Sequence, residues 1–187
     1  MAAAVAVGPT IVSASAVPPV GLRAMPRAAR LSGDVHDFDF LVGRWTVHHR
    51  RLKTRLAGST EWEEFGGTLV NWPTLGGNGN VGDNVMAMPG GTLRGLGMRA
   101  FDSTAGVWSV WWLNASSLKI DPPMHGGFKD GVGTFLGDDM LNGKPVTVRV
   151  LWSRITPTSA RWEQAFSPDG GKTWEINWIS DFTRTTT

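Results

Sequence analysis

The four histidines of the chain are the first candidates for acid–base chemistry and for metal ligation. His48 and His49 are consecutive in a strand-like segment, so their side chains point to opposite faces of a sheet and cannot both bind one metal ion. If Trp45 points into the interior, alternation along the strand directs His49 inward as well. His49 is therefore the best candidate for an interior acid or base, and a hydrogen-bonded histidine without catalytic function is the alternative.

Asp83 is the second candidate acid or base, because it follows a glycine-rich loop that we expect at one rim of the fold. Residues 77–82 fit the G-x-G-x-x-G pattern, but no strand–helix context surrounds them, so they do not predict dinucleotide binding. Asp83 and Asn84 are expected to face a ligand at that rim. Glu63-Glu64 and Asp138-Asp139 are adjacent strand residues that point to opposite faces, so neither pair forms a dicarboxylate site. With no Ser-His-Asp or H-E-x-x-H arrangement, no metal site is predicted.

The elements that must position these residues are strands. From Arg44 to Phe182, apolar and aromatic stretches alternate with turn sequences such as Asn142-Gly143. We count about ten such stretches, and no sustained helical period of about 3.6 residues. The sequence therefore predicts an all-β fold, a single up-and-down antiparallel β-barrel formed by residues 34–187. Residues 1–33 are predicted to form a flexible tail or a lid.

Alternation within the strands predicts a tryptophan-rich interior. The chain has ten Trp and eight Phe but no Tyr, and flat indoles suit both a β core and a wall that faces an apolar ligand. On the last strand, Trp174, Ile176, Trp178, Ser180 and Phe182 are expected to share the inner face. Polar residues on an inner face need a partner, which makes them candidates for orienting a ligand. The predicted ligand-binding residues are Asn84, Met98, Trp111, Trp152, Gln164, Trp178 and Ser180.

The composition excludes several classes of function. The chain of 187 residues has a net charge of +2 and no cysteine, so disulfides and thiolate chemistry are ruled out. The basic residues between 48 and 55 alternate between the two faces of a strand, so nucleic acid is not an expected partner. No apolar stretch approaches the roughly 20 residues of a transmembrane helix.

The N-terminal segment leaves two localisations open. Residues 2–12 are apolar, and Ala14-Ser15-Ala16 resembles a small-residue cleavage site. No Lys or Arg precedes the apolar stretch, which Gly8-Pro9 interrupts. We therefore expect a cytoplasmic protein, with export as the alternative if residues 1–16 act as a signal peptide.

Gly43 and Trp45, directly before the first strand, resemble the signature of calycin barrels, which include lipocalins, fatty-acid-binding proteins and nitrobindins. The resemblance implies that Gly43 allows a tight entry and that Trp45 packs at the base of the barrel under an arginine of the last strand. Arg184 is the natural counterpart here, with Arg161 second. Stacking of a guanidinium on an indole is favourable by about 0.5–1 kcal/mol at exposed sites.

A wider resemblance covers residues 36–184. The segments 36–45, 79–84 and 161–174 are similar to an uncharacterised bacterial family of calycin-like proteins, a domain of unknown function. This resemblance implies the fold and no particular activity. Nitrobindin-type barrels bind heme through a histidine near the C-terminal end, but no histidine follows His125 here. Heme at His49 or His125 is therefore kept only as an alternative, and no cofactor is expected.

The segment 167–174 matches the Asp-box pattern of sialidase-like β-proteins. In that motif the aspartate and serine cap the backbone of a hairpin turn, and the tryptophan packs beneath it. The expected role of Asp169 is therefore structural.

Together these patterns predict a protein that binds a small, largely apolar or aromatic molecule inside the barrel. One alternative is an enzyme that uses the same cavity to fold a flexible substrate for cyclisation or isomerisation, with His49 or Asp83 as acid or base. A second is a heme-binding barrel. A third is a structural protein in which the strand containing Trp108, Trp111 and Trp112 forms a homodimer surface.

Overall fold

The computed structural model describes residues 33–185. The predicted tail lies outside this range, apart from Gly33. Short turns connect the strands of the described range, and two single-turn helices, Asp39–Leu41 and Leu75–Gly77, accompany them. The strands are β1 (Gly43–Leu52), β2 (Trp62–Thr74), β3 (Gly79–Met88), β4 (Gly91–Asp102), β5 (Val107–Asn114), β6 (Lys119–Ile120), β7 (Met124–Lys129), β8 (Val132–Leu141), β9 (Lys144–Ser153), β10 (Ser159–Ser167) and β11 (Glu175–Arg184).

Ten of these strands close into one antiparallel barrel. Each barrel strand pairs with the next one along the chain, and β1 also pairs with β11, which closes the sheet. The two-residue strand β6 only extends the connection between β5 and β7. This confirms the predicted all-β, up-and-down barrel. None of the helices in residues 33–185 is long and apolar enough to cross a membrane.

Two hairpins show how the turn residues set the strand order. β7 and β8 are joined by Asp130 and Gly131, with φ angles of 52° and 76°. β8 and β9 are joined by Asn142 and Gly143, with φ angles of 51° and 76°. Two consecutive positive φ angles are typical of the type I′ turn, whose twist matches that of antiparallel strands.

The segment before β1 closes one end of the barrel, which we call the plugged end. Phe38 and Leu41 are fully buried there. The Phe38 ring packs edge-on against Trp108 and Phe128, with 5.0 Å between ring centroids in both pairs. Trp45 Nε1 donates a hydrogen bond to the Leu41 carbonyl at 2.8 Å, which ties the segment to the first strand. An aromatic core therefore fills this half of the barrel.

A β-bulge in β11 corrects one predicted set of inner residues. Gln164 pairs with Trp178 and Ala165 pairs with Ile176, so Asn177 is the extra residue. On the N-terminal side of the bulge, the inward and outward positions of the side chains are therefore exchanged. Ile176, expected inside, is 44% exposed, whereas Asn177 is completely buried. Trp174 precedes β11, and Arg149 stacks on its ring with Cζ 4.5 Å from the centroid.

Candidate ligand-binding cavity

A cavity of about 350 Å³ occupies the barrel beyond the plugged end. Leu69, Val110, Trp152 and Phe182 line it and also belong to the aromatic core, so they form its floor. Four more tryptophans line the walls, namely Trp111, Trp112, Trp162 and Trp178. The volume falls in the range of about 300–1,000 Å³ that is usual for small-molecule sites.

His49 lies in the cavity wall and is held there by two neighbours on β11. Its Nδ1 lies 2.8 Å from Ser180 Oγ and accepts a hydrogen bond from Trp178 Nε1 at 3.3 Å. Because an indole N–H can only donate, Nδ1 is the unprotonated nitrogen of a neutral ring. Burial, followed by the charge of His48, lowers the pKa of His49 to about 4. The imidazole is therefore neutral at pH 7.

The orientations of His49 and His125 do not fit the role of an axial heme ligand. The His49 ring stacks on Phe65 at 5.0 Å, and its Nε2 lies 2.8 Å from the position that a Cβ would take on Gly67. That ring therefore lies against the wall, with Nδ1 already engaged. His125 alternates with Met124, which lines the cavity, so it lies on the other face, 3.0 Å from Ser109 Oγ.

A second polar group of the cavity wall is Gln164, which is held by the side-chain amide of Asn177 at the bulge. Gln164 Nε2 donates to Asn177 Oδ1 at 2.9 Å. Asn177 Nδ2 is buried and has no hydrogen-bond partner among the described residues. Asn84, across the cavity, donates from Nδ2 to the Gly82 carbonyl at 2.9 Å. The predicted residues Asn84, Gln164, Trp152, Trp178 and Ser180 all line the cavity, together with His49.

Asp83 does not face the cavity, which corrects its predicted position at a ligand-facing rim. It alternates with Asn84 and lies on the outer face of β3. Arg94 Nη2 donates to Asp83 Oδ2 at 2.7 Å, and Arg94 Nε donates to Oδ1 at 3.1 Å. These hydrogen bonds lower the pKa of Asp83 below its usual value. A carboxylate held as an outer ion pair is not positioned to act on a ligand inside the barrel.

Met98 and Trp111 are also outward, although Trp111 borders the cavity. Met98 on β4 pairs with Trp111 on β5 and with Val81 on β3. Val81 in turn pairs with Trp72 on β2. This row on the outer face includes Trp72, which is 45% exposed. The expectation of an inward Met98 is wrong, because this part of the barrel is apolar on both faces, whereas Trp111 borders the cavity.

The predicted dimer strand presents only one of its three tryptophans to the outside. Trp108 is buried against the plug. Trp112 lines the cavity, and its ring covers Gly95. Trp111 alone remains on the outer face, so the homodimer stays a prediction that rests on the outer row rather than on the whole strand.

Arg99 is the main interior residue that the sequence reasoning missed. It lines the cavity and is only 9% exposed. Arg99 Nη1 donates to Asn80 Oδ1 at 2.9 Å, and Asn71 Nδ2 donates to the same oxygen at 3.1 Å. The Arg99 Cζ lies 5.2 Å from the centroid of the Phe38 ring. Burial lowers the pKa of Arg99 to about 10, so the guanidinium is charged at neutral pH.

A weak sequence signal for Arg99 exists in β4. Gly95 and Gly97 share its face of the strand, and glycines on a barrel strand often mark a place where a large group approaches the backbone. The competing face carries Leu96, Met98 and Ala100. Because this second face is the more hydrophobic of the two, alternation in the sequence places Met98 inside the barrel and Arg99 outside.

The predicted structural residues meet at the plugged end. Arg184 stacks on Trp45, with Cζ 4.2 Å from the ring centroid. Gly43 has a φ of 119°, and a Cβ there would lie 2.6 Å from Arg184 Nη1. Arg161 is not the stacking arginine, because it is paired with Asp181 on the outer face, with Arg161 Nε 2.6 Å from Asp181 Oδ1.

Asp169 organises the turn before β11. It accepts hydrogen bonds from the backbone of Lys172 and Thr173 at 3.0 and 2.9 Å and from Thr173 Oγ1 at 2.7 Å. These bonds, with one from Ser167, lower the pKa of Asp169 to about 2. In residues 33–185 no three His, Asp or Glu side chains are grouped as a metal site would require.

Comparison with known proteins supports the architecture. No family model matches the chain, and no curated protein matches it. Among solved structures, the chain is similar to the S-type phycobiliprotein lyase CPES from Guillardia theta, with a TM-score of 0.55 and 11% sequence identity. The match covers 80% of this chain and 91% of that chain. At this identity the likeness shows a shared calycin-like barrel fold, and membership of the uncharacterised bacterial family stays a prediction.

Proposed function

We propose that the barrel binds a small, largely apolar or aromatic molecule in its cavity. The observation that carries the proposal is a cavity of about 350 Å³ lined by five tryptophans inside a closed barrel. Tryptophan offers a large rigid contact surface, and its ring prefers edge-on or offset contacts with other aromatic rings. The similar structure is named a phycobiliprotein lyase, and its fold agrees with a barrel that accommodates a small molecule.

The polar residues of the cavity would orient the ligand rather than provide most of the affinity. His49 and Ser180 are fixed to each other at 2.8 Å, and Gln164 is fixed to Asn177 at 2.9 Å. Side chains that are already held in place lose little conformational entropy when a ligand binds.

The test uses N-phenylnaphthylamine, an uncharged aromatic dye that becomes fluorescent in an apolar environment. We expect saturable binding to the full chain at a stoichiometry of one. Trp178→Ala should weaken the affinity by roughly tenfold or more, because it removes apolar contact area from the cavity wall.

Trp72→Ala is the matched control, since it removes an indole from the outer face. It should leave dye binding unchanged, and circular dichroism should show that both variants fold. If the dye fails to bind, or if Trp72→Ala weakens binding as much as Trp178→Ala, the cavity is not the binding site and the proposal is wrong.

A second candidate function is catalysis of proton transfer in the same cavity. The observation that favours it is the pair of Ser180 and His49: Ser180 Oγ lies 2.8 Å from the unprotonated Nδ1 of a buried neutral imidazole, so Ser180 could accept a substrate proton while its own proton passes to His49. A suitable probe is nitrobenzisoxazole, a flat aromatic molecule in which loss of a ring C–H proton to a base breaks the N–O bond and gives a nitrile and a phenolate. A His49-dependent rate should fall about 100-fold in His49→Gln, with dye binding retained. An equal rate in the variant would exclude His49 as the base.

A further inference from the structure

The charge on Arg99 has no counterion in the described part of the chain. The ion pairs found there leave Arg99 out, and its nearest polar partner is the neutral amide of Asn80. Arg99 Nε is buried and has no hydrogen-bond acceptor among the described residues. Because a guanidinium keeps its proton, the molecule carries a desolvated positive charge in the cavity wall.

Other arginines of the barrel show that carboxylate partners are common in this chain. Arg94 pairs with Asp83 and Arg161 with Asp181 on the outer face, and Arg51 pairs with Glu63. Those arginines could also rely on water for solvation. Arg99 is more deeply buried than any of them, so it has the greatest need of an anion and is the one without it.

The surroundings of the guanidinium leave room for an anionic group. It lies over Gly97, and a Cβ on Gly97 would be 3.2 Å from Arg99 Nη2. Gly97 also lines the cavity, so the missing side chain keeps the space beside Nη2 free of protein atoms. Asn80 holds Nη1 at 2.9 Å, and the Phe38 ring supports Cζ at 5.2 Å. The guanidinium is thereby fixed, with Nη2 and Nε available as donors.

The distribution of charge along the cavity indicates the direction in which a ligand would lie. Arg99 is close to the C-terminal end of β4, at the plugged end of the barrel. The acidic residues that line the cavity, Asp121, Asp138 and Asp139, lie toward the opposite end, near Arg55. An anionic group is therefore attracted to the Arg99 end and repelled by the carboxylates at the other.

We propose that Arg99 binds the carboxylate of an amphipathic ligand whose apolar body lies along the cavity indoles. The inference deepens the proposed function and rests on it. Two N–H donors on one edge of a guanidinium match the two oxygens of a carboxylate, and such charge-assisted bonds are stronger than neutral ones. The ligand class is thus an apolar or aromatic monocarboxylic acid that extends from Arg99 toward His49 and Gln164.

The experiment compares two probes with the same ring system, naphthylacetate and naphthylethanol, by displacement of bound N-phenylnaphthylamine. In the wild-type chain we expect the acid to bind about 10- to 100-fold more tightly than the alcohol. Arg99→Met should abolish this preference while the affinities for the dye and the alcohol stay within about threefold. Arg94→Met, which removes an outer ion pair, should keep the preference.

Each outcome separates this inference from the proposed function. If the dye and the alcohol bind but the acid has no advantage in the wild type, or keeps its advantage in Arg99→Met, the anion site is wrong and the apolar cavity stands. If no probe binds, both fail. Should Arg99→Met not fold, Gly97→Val is the second variant, because it keeps the charge and fills the space beside Nη2. Gly97→Val should then lower the preference for the acid at least fivefold, and an unchanged preference would overturn the inference.

Discussion

Arg184 and Arg99 each lie against an aromatic ring, but they differ in their hydrogen bonds and in their burial. Arg184 stacks on Trp45, and its three nitrogens donate to the carbonyls of Pro157, Val42 and Phe40 at 2.6–2.7 Å. Arg99 contacts Phe38, makes one hydrogen bond to a side-chain amide and is buried more deeply. The hydrogen bonds of one guanidinium are complete within the protein, whereas those of the other are not.

A similar contact between an arginine and an aromatic ring can therefore serve either the fold or a ligand. Arg184 connects the last strand to the segment before β1, so it closes the barrel at the plugged end. Arg99 connects few elements and directs unpaired donors toward a cavity. A buried charge without a partner costs free energy, so its presence at the cavity is better explained by ligand binding than by stability.

The largest expected effect follows from removal of the ring that supports both regions. Phe38 is fully buried among Trp108, Phe128, Phe135 and Trp152. Phe38→Ala should lower the free energy of unfolding by about 3–5 kcal/mol, as for other large-to-small core changes. Chemical denaturation measures this effect. A loss below about 1 kcal/mol would mean that the plug contributes little to the core.

The second prediction concerns pH and separates Arg99 from His49, another basic residue of the cavity wall. The pKa of His49 falls from 6.5 to about 4 on folding. Between these values the unfolded chain binds a proton that the folded protein does not, so the free energy of unfolding decreases as the pH falls from 6.5 to 4, by up to about 3 kcal/mol. Arg99 remains charged over that range and contributes no such change.

Denaturation curves measured at several pH values provide the test. His49→Gln should flatten the dependence in this window, whereas His48→Gln, at an exposed position, should keep most of it. A wild-type stability that is constant from pH 6.5 to pH 4 would show that His49 is not desolvated in the folded protein.

The third prediction compares the two arginines directly. Arg184→Met should lower the free energy of unfolding by about 2–3 kcal/mol, because three charge-assisted hydrogen bonds and the stacking on Trp45 are lost. Arg99→Met should change stability by less than about 1 kcal/mol or raise it, since an apolar side chain of similar length replaces an unpaired buried charge. A larger loss for Arg99→Met than for Arg184→Met, measured under the same conditions, would reverse the comparison.

The smallest effect is expected for the outer ion pair. Asp83 and Arg94 are partly exposed, at 29% and 61% of their side-chain surface. Asp83→Asn should therefore change the free energy of unfolding by less than about 1 kcal/mol and leave dye binding intact. Loss of binding in this variant would instead support the ligand-facing position that the sequence analysis predicted.

The barrel itself could be predicted because local rules are repeated along the chain. Asn142-Gly143 and Asp130-Gly131 favour type I′ turns whatever their surroundings, and alternation in β9 separates Val146, Val148 and Val150 from their polar neighbours. The stacking of Arg184 on Trp45, two residues far apart in the sequence, was expected from the resemblance to calycin barrels. The inward position of Trp178, Ser180 and His49 was likewise predicted from alternation, since each lies on a strand segment with a regular pleat.

Alternation failed where strand pairing, rather than local sequence, determines which face is inside. The bulge at Asn177 depends on the register between β10 and β11 and exchanges the faces of Ile176 and Asn177. In β4 both faces carry apolar or small residues, so hydrophobicity selected Met98 over Arg99. Asp83 is held outside by Arg94, a partner on the neighbouring strand.

An antiparallel barrel, its turns and an aromatic interior can be predicted from the amino-acid sequence, because turn conformation and side-chain alternation are properties of short segments. Which polar groups enter the cavity, and which of them lack partners, becomes visible only in the folded barrel. Those properties depend on closure of the sheet, on strand register and on burial, all of which join residues far apart in the chain. The unpaired guanidinium of Arg99 is the clearest case, since its isolation is defined by what surrounds it in space.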